Sequence, residues 1–170
     1  MFVESYDWKY LGKIAASIAL SVIVGLFWIS NSENQAKIVK NPQDFSLGQA
    51  FRQKLTDRTL VVFWASWCAS CKEDLEELKA FSQSGLPKGF SILAVNIDEA
   101  KNLPEAKFMW SQLEIKGIEL IYDEREEHQN NLLVDLLPTY FLFDKDGKTL
   151  LRLEGNVDLS DPKLLSLMFN

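Results

Sequence analysis

The residues most able to do chemistry in this 170-residue sequence are its two cysteines, which lie three positions apart at Cys68 and Cys71. The apolar run at residues 59–65 predicts a buried strand before them, and the amphipathic pattern at residues 72–82 predicts a helix after them. At a helix N-terminus, unpaired N–H groups and the helix dipole stabilise a thiolate. Cys68 is therefore placed to attack a substrate disulfide, and Cys71 to resolve the mixed disulfide one helical turn later.

The same two thiols have other possible uses. A zinc site needs two further good ligands, and the sequence offers only one histidine, His128, besides carboxylates. Two inert buried cysteines are a second alternative. A copper-handling module using Cys68, Cys71 and His128 is the third. Redox chemistry is favoured because the pair falls at the start of a helix in an alternating strand and helix pattern, and we predict no metal ligands.

Alternating strand and helix patterns follow one another along the rest of the chain. Strands are predicted at residues 59–65, 90–97, 119–122, 139–143 and 148–153, and helices at residues 72–82, 103–115, 126–137 and 160–169. Residues 144–147 predict a hairpin turn before the last strand. This order predicts an α/β fold with a mixed central sheet and helices on both faces. The acidic positions of the first helix predict a solvated face; they are Glu73, Asp74, Glu76 and Glu77.

An apolar segment at residues 11–30 differs from everything after it, and Lys13 is its only charged residue. Twenty helical residues rise about 30 Å, which matches the hydrocarbon core of a bilayer. The segment predicts a membrane anchor over residues 1–30, followed by a polar tether at 31–43 and one domain at 44–170. A cleaved signal peptide is disfavoured because its apolar region is shorter and no A-x-A follows here. A buried core helix is the remaining alternative.

The net charge and the number of cysteines disfavour some classes of protein function for this chain. The formal net charge is -6, and because the charges of residues 1–30 sum to zero, all of it belongs to the remainder of the chain. Such an acidic balance argues against nucleic acid as the main partner, since phosphate binding needs a basic face. Both cysteines belong to one motif, which leaves none for a structural bridge.

The segment VVFWASWCASCK at residues 61–72 resembles the active-site segment of thioredoxin-like proteins. It is most similar to membrane-anchored thiol–disulfide oxidoreductases of the TlpA/ResA type, which include cytochrome c maturation thioredoxins. The segments FSILAVNID at 90–98 and LPTYFLFDKDG at 137–147 support the resemblance, which spans roughly residues 44–170. It implies that Cys68 is the attacking cysteine and Cys71 the resolving one.

The resemblance also implies roles for four other residues. Trp67 corresponds to the aromatic residue beside the disulfide, and Pro138 to a cis-proline that faces the cysteines. The backbone beside that proline pairs with the substrate chain, so Leu137 and Thr139 are candidate substrate contacts. From the residues alone, Pro138 is equally well interpreted as a helix stop.

Two positions depart from the family pattern. Ser70 stands where many relatives have proline, which restores a backbone N–H and adds a hydroxyl near Cys68. Val62 stands where thioredoxin has a buried aspartate that aids proton transfer from the resolving cysteine. Glu99 or Glu105 is the candidate substitute for that carboxylate.

The function implied is that of an extracytoplasmic enzyme. The resemblance implies a thioredoxin fold preceded by one transmembrane helix, with the soluble domain on the periplasmic side of a bacterial cytoplasmic membrane. There the chain is expected to reduce disulfides of specific proteins, without a cofactor, and to be recharged by a membrane electron donor carrying thiols.

Overall fold

The computed structural model describes residues 37–38 and 49–169. Six strands lie at β1 Lys37–Ile38, β2 Arg58–Trp64, β3 Phe90–Asn96, β4 Glu119–Tyr122, β5 Thr139–Asp144 and β6 Thr149–Glu154. Five α-helices lie at α1 Gln49–Arg52, α2 Ala69–Gln83, α3 Leu103–Leu113, α4 Glu127–Asn131 and α5 Pro162–Phe169. The predicted anchor at residues 11–30 falls outside the described residues. Within the described ranges, no helix combines the length and apolar character needed to cross a bilayer.

All six strands form one sheet in the order β1-β6-β5-β2-β3-β4. Strands β2, β3 and β4 are parallel neighbours, whereas β5 runs antiparallel to both β2 and β6. The parallel pairs are joined through helices, and β5 and β6 are joined by a tight turn in which Gly147 has a φ of 81°. The predicted mixed sheet is therefore confirmed.

Side chains of β2 alternate between two cores, because successive residues of a strand point to opposite faces. Leu60, Val62 and Trp64 face a core that contains buried residues of α2, α3 and α5. Val61 and Phe63 face a second core, which is completed by α1 and by the segment after α4. Both faces of the sheet are covered, as the apolar run at residues 59–65 predicts.

The predicted helix at residues 126–137 is wrong in length. Helix α4 ends at Asn131, and Leu133 has a φ of 49°, which helical geometry does not permit. The guanidinium of Arg152 in β6 donates to the carbonyl oxygens of Leu132 and Leu133 at 3.2 and 2.8 Å. These contacts bind Leu132 and Leu133 to β6 at the start of the non-helical segment 132–137.

Two short elements, β1 and α1, were not predicted from the sequence. Strand β1 lies inside the range interpreted as a tether, and its two residues pair antiparallel with β6, Lys37 opposite Glu154. Helix α1 is a single turn that places Phe51 in the second core, where it is almost completely buried.

Candidate active site

The turn between β2 and α2 is fixed by a buried carboxylate from the end of β3. Asp98 is 1% exposed. It accepts 2.7 Å hydrogen bonds from the backbone N–H and the hydroxyl of Ser66. It also accepts a 2.6 Å hydrogen bond from the side-chain amide of Asn96. Because Ser66 lies two residues before Cys68, this network determines where the cysteine loop leaves the sheet.

Cys68 and Cys71 form a disulfide at the N-terminus of α2, with their Cα atoms 5.3 Å apart. Cys68 is the N-cap residue, and its Sγ accepts a 3.2 Å hydrogen bond from the backbone N–H of Cys71. The hydroxyl of Ser70 lies 3.6 Å from the same sulfur. Cys68 is 7% exposed and Cys71 is completely buried. Of the two cysteines, only Cys68 reaches the surface, and two hydrogen-bonding groups lie close to its sulfur.

Pro138 directly precedes β5, and the Leu137–Pro138 bond is cis, as the resemblance implies. Thr139 pairs with Phe63 of β2, which sets Pro138 next to the end of that strand. The carbonyl of Pro138 accepts a hydrogen bond from Gly155 N–H at 2.9 Å. The proline is buried, and its position is held from both neighbouring strands.

A cleft of about 500 Å³ opens beside Cys68. Trp67 forms part of its wall with 63% of its surface exposed, and Leu137 forms another part. Thr139 does not line this cleft: its side chain is buried and donates a 2.7 Å hydrogen bond to the carbonyl of Leu136. Trp67 and Leu137 thus border the cleft together with Cys68, while the side chain of Thr139 is bonded to the backbone outside it.

The prediction that the acidic run of α2 lies on a solvated face is wrong for one residue, Asp74. Asp74 is 3% exposed. It accepts a 2.6 Å hydrogen bond from the hydroxyl of Tyr140 and a longer one, 3.4 Å, from Val157 N–H. Since Asp74 follows Cys71 by three residues, both lie on the inward face of α2. The helical spacing from Cys71 was the one sequence signal for this position.

The pKa of Asp74 is raised to about 6, chiefly by burial. The hydrogen bonds from Tyr140 and Val157 oppose this rise, and the negative charges of Glu77 and Glu73 add to it. Of the other candidates for a carboxylate near the cysteines, Glu99 lines the same cleft as Cys68, whereas Glu105 lines a separate one. Glu99 is exposed and pairs with Lys101, and Glu105 is exposed on the first turn of α3.

The alternative metal site does not assemble in the described part of the chain. His128 lies on α4, half-buried, with its ring 4.9 Å from that of Phe51. No group of three or more His, Cys, Asp or Glu side chains among the described residues is arranged to hold a metal ion. The three residues of the copper hypothesis are therefore not gathered around one point.

Comparison with known proteins gives a family match over most of the chain. The family model described as Redoxin matches residues 32–161. The chain is 32% identical over 103 residues to "Thiol-disulfide oxidoreductase ResA" of Geobacillus thermodenitrificans. That match covers 59% of this chain and 56% of the relative. The chain thus spans little more than half the length of the curated relatives it matches.

Solved structures show the same fold at low identity. The chain is similar to StoA from Bacillus subtilis, with a TM-score of 0.55 and 20% identity over 60% of this chain and 76% of the other. It is also similar to a putative thiol:disulfide interchange protein DsbE from Chlorobium tepidum. There the TM-score is 0.54, with 24% identity over 77% and 94% of the two chains. The thioredoxin-like α/β fold is thereby confirmed.

Proposed function

Since this chain belongs to the Redoxin family, we propose that it is a thiol–disulfide oxidoreductase that works by a dithiol–disulfide cycle of Cys68 and Cys71. The observation that carries the proposal is the asymmetry of the pair. Cys68 borders an open cleft at the N-terminus of α2, whereas Cys71 is buried one turn deeper and bonded to it. Cys68 is accessible to a substrate disulfide, whereas Cys71 is buried behind it and can react only with Cys68.

The reaction begins with the reduced pair. The Cys68 thiolate attacks one sulfur of a substrate disulfide, and the other substrate sulfur leaves as a thiolate that takes up a proton. Cys71 then loses its proton and attacks the Sγ of Cys68, which releases the second substrate thiolate. Two electrons pass to the substrate, and the Cys68–Cys71 disulfide forms. A thiol donor reverses these steps to restore the reduced enzyme.

The residues around the pair support these steps. The N–H of Cys71 and the hydroxyl of Ser70 are donors directed at Cys68 Sγ, so they stabilise negative charge there whenever it attacks or leaves. Asp74, with its pKa raised to about 6, is a carboxylate suited to take the proton that Cys71 must lose. Trp67 and Leu137 contact the incoming chain at the cleft.

Trapping tests the order of attack. Reduced full-length chain is mixed with insulin or a peptide disulfide after Cys71→Ser, and separately after Cys68→Ser. We expect a stable mixed disulfide through Cys68 in the first variant and none in the second. Wild-type chain is titrated against glutathione redox buffers in parallel. Failure of Cys68 and Cys71 to form a disulfide at any potential would refute the mechanism, and trapping through Cys71 would reverse the assigned roles.

We also propose where the enzyme works and in which direction. The apolar segment at residues 11–30 supports one membrane-spanning anchor, with residues 31–43 as a tether and the catalytic domain at 44–170 on the periplasmic side. Cytosolic thioredoxins need no anchor, so an anchor favours work outside the cytoplasm. The resemblance to TlpA/ResA-type proteins supports a reductase of specific proteins, recharged by a membrane thiol donor.

Membrane fractionation checks this placement. We expect the chain, expressed in a bacterium, to stay in membranes washed at alkaline pH and to be digested by protease added to spheroplasts. A variant lacking residues 11–30 serves as the comparison and is expected in the soluble fraction. Protection of the wild-type chain in intact spheroplasts, with digestion only after lysis, places the domain in the cytoplasm and contradicts the proposal.

A further inference from the structure

The charged side chains that line the cleft beside Cys68 are all acidic among the described residues. Three carboxylates line it, those of Glu99, Glu126 and Asp135, and all three residues are exposed. Among the described residues that line the cleft there is no lysine, arginine or histidine. A concave site lined by one sign of charge concentrates its field and attracts ligands of the opposite sign.

The three carboxylates differ in whether an ion pair offsets their charge. Glu99 is partly neutralised because Lys101 Nζ lies 2.7 Å from its Oε2. In the described part of the chain, no ion pair involves Glu126 or Asp135. The lysine closest in sequence to the cysteines, Lys72, lines a separate cleft with α3. The charged side chains that line the Cys68 cleft are therefore all acidic, and two of them have no ion-pair partner among the described residues.

Apart from the polar side chain of Gln129, the remaining walls of the cleft are mostly apolar and partly exposed. Trp67 and Leu136 expose 63% and 52% of their surfaces, and Ile97 and Val134 add further apolar lining. Long cationic side chains bury an aliphatic stem on such a surface while the charged head reaches acidic groups. The exposed ring of Trp67 is also a suitable partner for a cation.

We propose, on the basis of the function proposed above, that the preferred substrates are protein disulfides with a lysine or arginine directly beside the attacked cysteine. Because Cys68 borders the cleft, the substrate segment beside the attacked disulfide enters it. The carboxylates there favour substrates with a cationic side chain. The substrate's aliphatic stem packs on Trp67 and Leu136 while its charge meets Glu126 and Asp135. An acidic side chain at the same position is repelled. The preference acts on the approach to Cys68 and does not alter the exchange chemistry.

A matched set of peptide disulfides tests this preference. The probes are homodimeric disulfides of the acetylated, amidated tetrapeptide Ala-Cys-X-Ala, where X is lysine, glutamine or glutamate. Each reacts with the reduced full-length chain in a non-ionic detergent at low salt, and the rate of Cys68–Cys71 oxidation is measured. The double variant Glu126→Gln/Asp135→Asn removes the charge with little change of shape. The variant Glu119→Gln/Asp146→Asn changes net charge equally at exposed positions outside the cleft.

The peptides differ in intrinsic reactivity, and this difference cancels when the ratio of their rates is compared between variants. We expect the ratio of the lysine rate to the glutamate rate to fall about fivefold in the cleft variant, the scale of two exposed ion pairs, and to be unchanged in the control variant. High salt is expected to lower the wild-type ratio in the same way. An unchanged ratio in the cleft variant overturns the inference, as does an equal fall in both variants. Lack of reaction with the neutral glutamine peptide instead overturns the proposed function.

Discussion

Tyr140 donates a 2.6 Å hydrogen bond from its phenolic oxygen to Oδ2 of Asp74, across 66 positions of sequence. Burial, and then the charge of Asp74, raise the pKa of Tyr140 well above its ordinary value, so the phenol remains a donor at neutral pH. The bond connects the first turns of α2 to β5, the strand that follows Pro138. It satisfies a carboxylate that would otherwise be buried with one weak donor, the N–H of Val157.

Replacing Asp74 with asparagine is expected to change how stability depends on pH. An acid with a higher pKa in the folded state binds more protons when folded, so its contribution to stability is complete below the unfolded pKa near 3.8. That contribution is lost as the pH rises through about 6. Asp74→Asn keeps an acceptor for Tyr140 but cannot ionise. The free energy of unfolding of the variant, measured in urea from pH 4 to 7, should rise relative to wild type across this window.

The exposed neighbour Glu76 provides the control, because Glu76→Gln removes a charge from the same helix without touching the buried pair. Its pH profile should follow that of wild type. If the proton acceptor role is correct, Asp74→Asn also slows release of a substrate from the mixed disulfide while leaving the first attack by Cys68 unchanged. Parallel profiles for Asp74→Asn and wild type would show that the carboxylate titrates normally.

The buried position of Asp74 shows why part of the site could not be predicted from the sequence. The element order and the cysteine motif follow from local patterns: apolar runs, glycine turns and the position of Cys68 at a helix start. Which polar residues of α2 are buried depends instead on what packs against the helix. Tyr140 and Val157 come from 66 and 83 positions away, and no local pattern indicates that they meet Asp74.

The wrong length predicted for α4 has the same origin. The periodic pattern of residues 126–137 favours a helix, but the carbonyls of Leu132 and Leu133 bind Arg152, about twenty positions away in β6. A tertiary contact overrides local propensity there. The identification of Pro138 as a cis-proline, by contrast, needed the family resemblance, because the residues alone allowed a helix stop equally well.

Asp98 is expected to be important for the cysteine loop although it does not touch the sulfurs. Asp98→Asn puts an N–H₂ group where the carboxylate accepts three hydrogen bonds from Ser66 and Asn96. At least one buried donor loses its partner, which should cost about 1–3 kcal/mol of unfolding free energy. Urea unfolding measures this loss, and hydrogen exchange of the Ser66 amide should become faster. The adjacent exposed residue gives the control: Glu99→Gln should change stability by less than about 0.5 kcal/mol. Equal effects of the two substitutions would contradict a specific role for Asp98.

Arg152 holds the wall of the cleft from behind. It is 8% exposed, pairs with Glu154 at 2.9 Å and lies over the ring of Phe141 at 5.1 Å. Its donors reach the carbonyls of Leu132 and Leu133, immediately before the residues that line the cleft. The buried guanidinium therefore ties β6 to the segment that carries the candidate substrate contacts.

Arg152→Met preserves the apolar stem and removes these donors, so we expect a loss of about 2 kcal/mol in urea unfolding. Arg152→Lys should recover only part of this loss, because an ammonium cannot reproduce the planar fork. In a Cys71→Ser background, Arg152→Met should also slow mixed-disulfide formation, since the displaced segment lines the approach to Cys68. Arg125→Met, at an exposed position, is the matched control and should leave both measurements unchanged. A destabilised Arg152→Met variant that still forms the mixed disulfide at the wild-type rate would limit the arginine to a role in stability.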